Sequence, residues 1–292
     1  MRKFACLLIS AFLISGQTLS ACTVFFAFDG KWALAGDNED YFDHPATQLW
    51  TVPRTRISYG VVYFGFGRGE YPAGGLSLTA RMRQAMDGLL PVSELGVEDA
   101  YGLPMQGINE KGLFCGSAET QEVSEGWSRP GIPKFDGDVT DLILRHAGSV
   151  PEALRLLAPY NYWIPEGNLL CADRSGDSFI LEAGGTVLRG TGGYQIATNF
   201  LQSRYPRQKK LDRRYRLLDS RLSERPELSR DLVTSLLKAV QQGITQYSVV
   251  FDLTNLSLEI YQRRDFSRAV TIHLSDEWIK GARVARMSTL FE

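Results

Sequence analysis

Tight-turn signals at three places divide much of this chain into pairs of short strands. Asp29-Gly30 follows an apolar run that begins at Thr23, and similar turns occur at Asp173-Arg174-Ser175-Gly176 and at Thr254-Asn255. Because Gly, Asn and Asp adopt the backbone conformations that tight turns require, each signal predicts an antiparallel hairpin. The predicted strands are Thr23–Ala27, Lys31–Leu34, Ile57–Phe64, Gly112–Cys115, Leu169–Ala172, Ser178–Glu182, Tyr194–Ala197, Tyr247–Asp252 and Leu256–Tyr261.

Helical patterns are fewer, and several begin at a residue suited to a helix start. Asp138 and Ser229 are capping residues, and Pro151 lies in a predicted first turn. The predicted helices are Val139–His146, Val150–Leu157, Leu211–Leu222, Arg230–Val240 and Asp276–Ala285. Many hairpins with a few covering helices predict the α+β class with antiparallel sheets.

Composition limits the function classes. A chain of 292 residues that is 44% hydrophobic can bury a core, and the absence of a Pro/Ser-rich linker favours one domain over residues 22–292. With 32 Lys+Arg against 33 Asp+Glu, nothing predicts a nucleic-acid partner. Three His and four Cys occur without CxxC or HExxH spacing, so we predict no metal and no cofactor.

Residues 1–21 have the pattern of a secretory signal peptide. Arg2 and Lys3 precede an apolar run from Phe4 to Ile14, and the small residue Ala21 ends the segment. The run is shorter than the about 20 apolar residues that span a bilayer. We therefore predict an exported protein, periplasmic or extracellular, without a transmembrane span; losing Arg2 and Lys3 shifts its net charge from -1 to -3.

Cleavage after Ala21 makes Cys22 the first residue, and two interpretations follow. Leu19-Ser20-Ala21-Cys22 matches a lipoprotein processing site, in which the sulfur is lipidated and anchors the protein. Alternatively, Cys22 keeps a free thiol beside a free α-amine. Cys6 leaves with the signal, and Cys115 and Cys171 either pair or stay buried as thiols, so Cys22 is the cysteine left for chemistry.

An N-terminal cysteine carries a nucleophile and a base on one residue, because its α-amine has a pKa of about 7.7–8. Such a site also needs a group that orients the amine and donors that bind a tetrahedral oxyanion. Asp40, in the polar run after the first hairpin, and Asn199, after the strand that ends at Ala197, are candidates for these roles. The alternatives are a solvated loop acid and an ordinary turn residue.

Together and in order, several segments resemble those of the N-terminal nucleophile (Ntn) cysteine hydrolases. This group contains choloylglycine hydrolases, penicillin V acylases and C45 acyltransferase-like peptidases. The matching segments are Cys22-Thr23, Gly36-x-Asn38-x-Asp40, Asn109-Glu110-Lys111-Gly112-Leu113, Ala172-Asp173-Arg174-Ser175-Gly176 and Thr198-Asn199. The resemblance spans residues 22–292 and implies a four-layer αββα sandwich and cleavage of an amide.

The resemblance also implies roles for individual residues. Cys22 would supply nucleophile and base, Asp40 would bind the α-amine, and Asn199 would donate to the oxyanion. A backbone N–H near Glu119 would be a second oxyanion donor, and Asn109 is a further candidate for the substrate or oxyanion site. Arg214 is the candidate for the family's active-site arginine; its alternative is a solvent-facing helix charge among Arg213 and Arg216.

Asp37 departs from the family, which usually has arginine at this position. A cation there would lower the pKa of the thiol, and an anion does not. Either the thiol depends on the α-ammonium alone, or Asp37 recognises a cationic substrate. In the second case Asp37→Asn weakens basic substrates selectively, whereas equal effects on neutral and basic amides contradict the hypothesis.

We therefore predict a linear amide hydrolase (acylase) that acts through a thioester on Cys22, with a small-molecule acyl amide as its substrate. An acyltransferase would use the same intermediate, and Asn38-Glu39-Asp40 also resembles the NED segment of C69-type dipeptidases. The alternative from another class is a non-catalytic lipoprotein anchored through Cys22. The sequence leaves a homo-oligomer open.

Overall fold

The computed structural model describes residues 22–41, 47–66, 103–120, 129–135, 137–162, 164 and 167–292. The prediction of a signal peptide over residues 1–21 lies outside this part of the chain. The described strands are β1 Thr23–Phe28, β2 Ala33–Asp40, β3 Thr47–Val52, β4 Val61–Phe66, β5 Leu103–Asn109, β6 Leu113–Glu119, β7 Gly167–Asp173, β8 Ser178–Glu182, β9 Val187–Arg189, β10 Tyr194–Ala197, β11 Thr245–Asp252, β12 Ser257–Gln262, β13 Asp265–His273 and β14 Arg283–Arg286.

The described helices flank these strands. They are α1 Val139–His146, α2 Val150–Leu157, α3 Gln208–Leu211, α4 Arg213–Ser223, α5 Arg230–Val240 and α6 Leu274–Ile279, followed by a 3-10 helix over Met287–Phe291. None of these helices has the length and apolarity needed to cross a membrane.

The strands form two sheets in which all neighbours are antiparallel. The first sheet has the order β10-β1-β2-β11-β12-β13, and the second has the order β14-β3-β4-β5-β6-β7-β8-β9. An apolar layer joins them, with Val24 and Phe26 of the first sheet packed among Val62, Ile108 and Phe114 of the second. The site described below lies at one end of this layer.

A helical layer covers the outer face of each sheet. Helices α4 and α5 pack Leu218 and Leu236 against Phe25 of β1, while α1 and α2 pack Ile143 and Ala153 over the second sheet. The result is a four-layer αββα sandwich, and the predicted α+β fold is confirmed. It follows from hairpins that alternate their side chains between a helix-facing and a sheet-facing side.

Local signals predicted many element bounds well. The predicted helices Val139–His146, Val150–Leu157 and Arg230–Val240 have the observed bounds. The side chains of Asp138, Ser149 and Ser229 each accept a hydrogen bond from the backbone N–H three residues later. Capping chemistry therefore set these helix starts.

Other predicted bounds were wrong. The helix predicted over Leu211–Leu222 is interrupted at Asp212, whose side chain accepts from the N–H of Tyr215 and begins α4. The helix predicted over Asp276–Ala285 ends at Ile279, and β14 follows because Arg283–Arg286 pairs with β3. Strand pairing between distant segments decides this last case.

The polar run over residues 36–40 is part of a strand rather than a loop after the first hairpin. Strand β2 continues to Asp40 because it pairs with β1 on one side and β11 on the other. Asn38 stabilises this arrangement, since its side chain donates to the Leu237 carbonyl of α5 and accepts from the Ser248 hydroxyl. The central position of β2 turns a polar sequence into buried structure.

Candidate active site

Cys22 lies directly before β1, at the end of a strand held between β10 and β2. The hairpin register that pairs Thr23 with Asn38 continues to place Cys22 opposite Glu39. Cys22 is fully buried and belongs to the apolar layer between the sheets, whereas Phe25 faces the helices. Its sulfur therefore points toward the second sheet.

A carboxylate contacts this sulfur. Cys22 Sγ donates to Glu39 Oε1 at 3.3 Å, and both residues have no exposed surface. Burial raises the pKa of the Cys22 thiol well above its usual value, and the charges of Glu39, Asp40 and Asp37 raise it further. The backbone N–H of Asp40 opposes this rise. The thiol is therefore neutral in the full-length chain.

The second sheet positions Glu39. The side-chain amide of Gln106 donates to Glu39 Oε2, and the Tyr247 hydroxyl donates to Gln106 Oε1 at 2.7 Å. Burial raises the pKa of Glu39 to about 8, although the hydrogen bonds from Cys22 and Gln106 oppose that rise. Three buried side chains from β2, β5 and β11 thus form a chain of hydrogen bonds that ends at the sulfur.

Asp37 lies on the same face of β2 as Glu39, two residues away. Neither of its carboxylate oxygens has a hydrogen bond of normal geometry to the residues that the structure describes, and the residue has no exposed surface. Burial raises its pKa well above the usual range, with Glu39 and Asp40 adding to the rise and Gln106 opposing it. Recognition of a cationic substrate by Asp37 remains a prediction.

Asp40 lies at the end of β2. Thr245 and Gln242 donate to its two carboxylate oxygens, and the Arg214 guanidinium lies 4.0 Å away. Burial raises the pKa of Asp40 to about 6, while these hydrogen bonds and the charge of Arg214 oppose the rise. Its carboxylate is therefore held in place by Thr245, Gln242 and Arg214, and binding of the α-amine by Asp40 stays a prediction.

Arg214 connects the candidate residues. Its Nη1 donates to the Cys22 carbonyl at 3.1 Å and to Thr23 Oγ1 at 3.0 Å, while its Nη2 donates to Asn199 Oδ1 at 2.7 Å. Its side chain is only 13% exposed. The alternative of a solvent-facing helix charge is therefore wrong for Arg214, although Arg213 and Arg216 are exposed.

Asn199 contacts Glu119, and the roles of both as oxyanion donors stay predictions. Asn199 Nδ2 donates to the Glu119 backbone carbonyl at 2.7 Å. The contact shown at Glu119 is thus its C=O, whereas the prediction concerned a backbone N–H near this residue. Arg214 and Glu119 together fix the orientation of the Asn199 amide next to Cys22.

Asn109 is not part of this arrangement. It lies at the turn between β5 and β6, whereas Glu119 lies at the other end of that hairpin. Its Nδ2 donates to the carbonyls of Leu144 and Ala147, and its Oδ1 accepts from the N–H groups of Lys111 and Leu113. Its hydrogen-bonding capacity is used within the fold, so the prediction that it binds substrate or an oxyanion is wrong.

Sequence reasoning missed Glu39, Gln106, Tyr247, Gln242 and Thr245. Only Glu39 had a usable signal, because extending the first hairpin in register places it opposite Cys22. The other four come from β5, β11 and the segment before β11, more than 60 residues away from Cys22 in each case, with no local motif.

Cys115 and Cys171 form a disulfide between directly opposite residues of β6 and β7. Cys22 is the free cysteine of the described residues. Within that same part of the chain, no group of three or more His, Cys, Asp or Glu side chains is arranged to hold a metal ion.

A cavity of about 430 Å³ lies away from this site, at the turn that joins β1 to β2. Its lining includes Asp29, whose carboxylate oxygens accept from the backbone N–H groups of Lys31, Trp32 and Leu228. Asp29 is therefore a turn residue, and the cavity contains no candidate nucleophile.

Among known proteins, this chain matches solved structures, whereas comparisons of its sequence found no match. No family model matches the sequence, and no curated protein matches it. An arginine-to-leucine variant of conjugated bile acid hydrolase from Clostridium perfringens aligns over 90% of this chain and 96% of its own, with a TM-score of 0.62 and 14% identity. A cysteine-to-alanine variant of that hydrolase aligns over the same shares, with a TM-score of 0.57 and 15% identity.

Penicillin V acylase from Agrobacterium tumefaciens aligns over 90% of both chains, with a TM-score of 0.60 and 17% identity. At these identities the similarity establishes the fold. The alignments extend over nine-tenths of the chain. This chain therefore has the fold of the Ntn hydrolases, as its sequence predicted.

Proposed function

We propose that this protein is a hydrolase of linear amides, an acylase, and that the Cys22 thiol is its nucleophile. The observation that carries the proposal is the position of Arg214. Its guanidinium donates to the Cys22 carbonyl and to Asn199 Oδ1, and it lies 4.0 Å from Asp40. The three residues with predicted catalytic roles therefore converge at one end of β1.

The structural neighbours support the reaction class. The solved structures with this fold include a conjugated bile acid hydrolase and a penicillin V acylase. These three residues supply the different groups that amide hydrolysis requires. The Cys22 thiol attacks, the Asp40 carboxylate binds the α-amine, and the Asn199 amide, whose orientation is fixed, donates to the oxyanion.

The reaction proceeds in two halves. The sulfur attacks the amide carbon as its proton passes to the α-amine of Cys22, and the carbonyl oxygen becomes an oxyanion that Asn199 Nδ2 stabilises. The C–N bond then breaks, and the departing amine takes that proton from the α-ammonium, leaving an acyl thioester on Cys22. Water attacks this thioester, the S–C bond breaks, and the thiol recovers its proton as the carboxylic acid leaves.

This reaction requires removal of residues 1–21. In the full-length chain the Cys22 nitrogen belongs to the peptide bond with Ala21, so the α-amine that Asp40 would bind is generated by cleavage. We propose export to the periplasm or the extracellular space on this basis. The Cys115–Cys171 disulfide supports that location, since disulfides persist in oxidising compartments.

The mature N-terminus separates this proposal from its rival of another class. The full-length chain is expressed with its leader, and the purified product is analysed by intact-mass and N-terminal peptide mass spectrometry. We expect Cys22 as an unmodified first residue. A diacylglyceryl adduct on the sulfur contradicts the acylase and supports the lipoprotein.

Activity is tested on a panel of acyl amides, a bile-acid conjugate, penicillin V and dipeptides. We expect the parent to hydrolyse at least one amide and Cys22→Ala to abolish turnover, while Ser223→Ala, at an exposed position of α4, retains it. An acyl adduct on Cys22 in rapidly quenched reactions identifies the thioester. Turnover that survives Cys22→Ala contradicts the proposal.

The panel also distinguishes the two enzymatic alternatives. Cleavage restricted to dipeptides favours the C69-type activity. Product formation that depends on an added amine favours an acyltransferase, because the second half of the reaction then uses that amine instead of water.

A further inference from the structure

Residues 204–216, which lead from β10 into α4, are the most basic segment of the chain. They contain seven of its 32 Lys+Arg and one of its 33 Asp+Glu, a net charge of +6 in a chain whose net charge is -1. The one acid is Asp212, which pairs with Arg214 and begins α4. The other six bases are therefore not balanced by an acid of the segment.

Consecutive hydrogen-bonded turns fold this segment into a compact surface. The N–H of Tyr205 donates to the Leu201 carbonyl at 2.8 Å, and the N–H of Gln208 donates to the Tyr205 carbonyl at 2.9 Å. The N–H of Asp212 then donates to the Gln208 carbonyl at 2.8 Å, at the end of α3. Because the chain turns back on itself in this way, the bases lie close together instead of along an extended strand.

Most of these bases are exposed. On α4, Arg213 and Arg216 lie one turn apart on the solvent face, whereas Tyr215 and Leu218 pack under the helix against the first sheet. Lys209 lies over the Tyr215 ring, with its Nζ 5.6 Å from the ring centroid. We use the name basic patch for the exposed bases of the segment, which are Arg204, Arg207, Lys210, Arg213 and Arg216.

Two large apolar side chains are exposed among the bases of the patch. Leu211 is 70% exposed and Tyr205 is 42% exposed, and they are two of the five large apolar side chains that the described residues expose. Leu211 follows Lys210 directly and lies one helical turn after Arg207. A soluble polyanion gains nothing from an exposed leucine between cations. The surface of a lipid bilayer takes up both kinds of side chain, because charged headgroups lie directly above apolar acyl chains.

We propose that the basic patch, with Tyr205 and Leu211, is a docking surface for a lipid bilayer that contains anionic headgroups. The Lys and Arg side chains contact the headgroups, and the Leu211 side chain enters the boundary of the acyl chains beneath them. Tyr205 lies at the headgroup level, where tyrosine side chains are enriched. This inference goes beyond the proposed function, since the contact is reversible and involves neither the Cys22 thiol nor a covalent lipid.

The basic patch is continuous with the candidate active site through the first turn of α4. Arg214 lies directly after Arg213 in the chain, and its guanidinium donates to the Cys22 carbonyl and to Asn199 Oδ1. A bilayer bound to the patch therefore lies beside the residues proposed to hydrolyse amides. The substrate class that fits both proposals is an amide whose acyl chain lies in the bilayer.

Cosedimentation with lipid vesicles tests the docking surface. The protein, purified after expression with its leader, is mixed with vesicles of phosphatidylcholine alone or of phosphatidylcholine with phosphatidylglycerol. We expect binding to the anionic vesicles and none to the neutral ones. Binding should be lost between about 0.1 M and about 1 M salt, because the screening length falls from about 10 Å to about 3 Å. Equal binding to both kinds of vesicle contradicts the proposal.

A double variant tests whether the basic patch supplies the attraction. We expect Lys210→Gln/Arg216→Gln to weaken binding to the anionic vesicles about 25-fold, since each base near an anionic surface contributes about fivefold. Arg155→Gln/Lys238→Gln is the matched control, because it removes the same two charges from exposed positions of α2 and α5. The control should stay within about threefold of the parent. An equal loss in both variants means that net charge attracts the vesicles, and the proposal is then wrong.

A second variant separates a bilayer from a soluble polyanion. Leu211→Ser keeps every charge, and we expect it to bind anionic vesicles about tenfold more weakly, because less apolar area is buried. Ile57→Ser is the matched control, since Ile57 is 83% exposed and lies before β4. If Leu211→Ser binds as the parent does, the surface recognises charge alone and the bilayer proposal is wrong. Binding is measured without turnover, so this result is independent of whether the protein hydrolyses amides.

Discussion

Asn109 offers a quantitative test of the fold, because the structure assigns it a purely structural role. It has no exposed surface, and it connects the β5–β6 turn to the end of α1. The carbonyls of Leu144 and Ala147 accept from its Nδ2 at 2.9 and 2.7 Å. Carbonyls at a helix C-terminus lack intrahelical partners, so Asn109 satisfies acceptors that would otherwise be buried without a hydrogen bond.

The cost of Asn109→Ala follows from these bonds. Three of its four hydrogen bonds are fully buried, and the fourth, to the N–H of Lys111, is partly buried, so water replaces it at small cost. At about 1 kcal/mol for each buried bond, with a further cost for the partners left unsatisfied, Asn109→Ala should lower the free energy of unfolding by about 3 to 5 kcal/mol.

Equilibrium urea unfolding, followed by circular dichroism, measures this loss. Asn255→Ala is the matched control, because Asn255 is an exposed turn residue whose side chain makes one hydrogen bond, to Asp252. We expect the control to lose less than about 1 kcal/mol. If Asn109→Ala loses no more than Asn255→Ala, Asn109 does not connect the turn to the helix and our reasoning is refuted.

Three further predictions concern the site and the disulfide. Replacing Cys115 and Cys171 by alanine should lower the free energy of unfolding by about 4 kcal/mol, because the bond closes a loop with a sequence separation of 56; dithiothreitol should destabilise the parent and leave the variant unchanged. Burial raises the pKa of Glu39 from 4.5 to about 8, so its contribution to stability is complete below pH 4.5 and is lost as the pH rises through about 8. Glu39→Gln removes this pH dependence. In urea unfolding, the free energy of unfolding of Glu39→Gln should therefore rise relative to that of the full-length parent by up to about 4 kcal/mol between about pH 5 and about pH 9. A difference between the two proteins that stays constant over this range would count against the prediction. Arg214→Lys should lower kcat by about 10²–10³-fold, since one ammonium cannot reach both the Cys22 carbonyl and Asn199 Oδ1; an effect equal to that of the exposed control Arg216→Lys would exclude this role.

Parts of the candidate site were predictable from the sequence because they depend on neighbours along the chain. Asp40 is the last residue of the second strand in the hairpin that begins beside Cys22, and the register of two paired strands can be extended over a few residues from the sequence. Asn199 lies two residues after the end of β10, the other neighbour of β1. These residues share one end of the first sheet as soon as the strands pair.

Arg214 shows the limit of such reasoning. Its local pattern, among Arg213 and Arg216, is that of a polar helix face. The first turn of α4, which Asp212 starts, places Arg214 toward Cys22, whereas Arg213 and Arg216 are exposed.

The amino-acid sequence by itself determined the hairpins and the capped helices, since turn and capping preferences act within a few residues. The four-layer fold was implied by the resemblance of its segments to a known family. The sequence also determined that Cys22 would stand at the start of a strand. Tertiary structure decided that Gln106 and Tyr247 hold Glu39 against the sulfur, and that Asn109 supports a helix instead of the site. These contacts join strands of two stacked sheets, and the side chains that meet across such an interface are chosen by packing between distant segments, which no local pattern encodes.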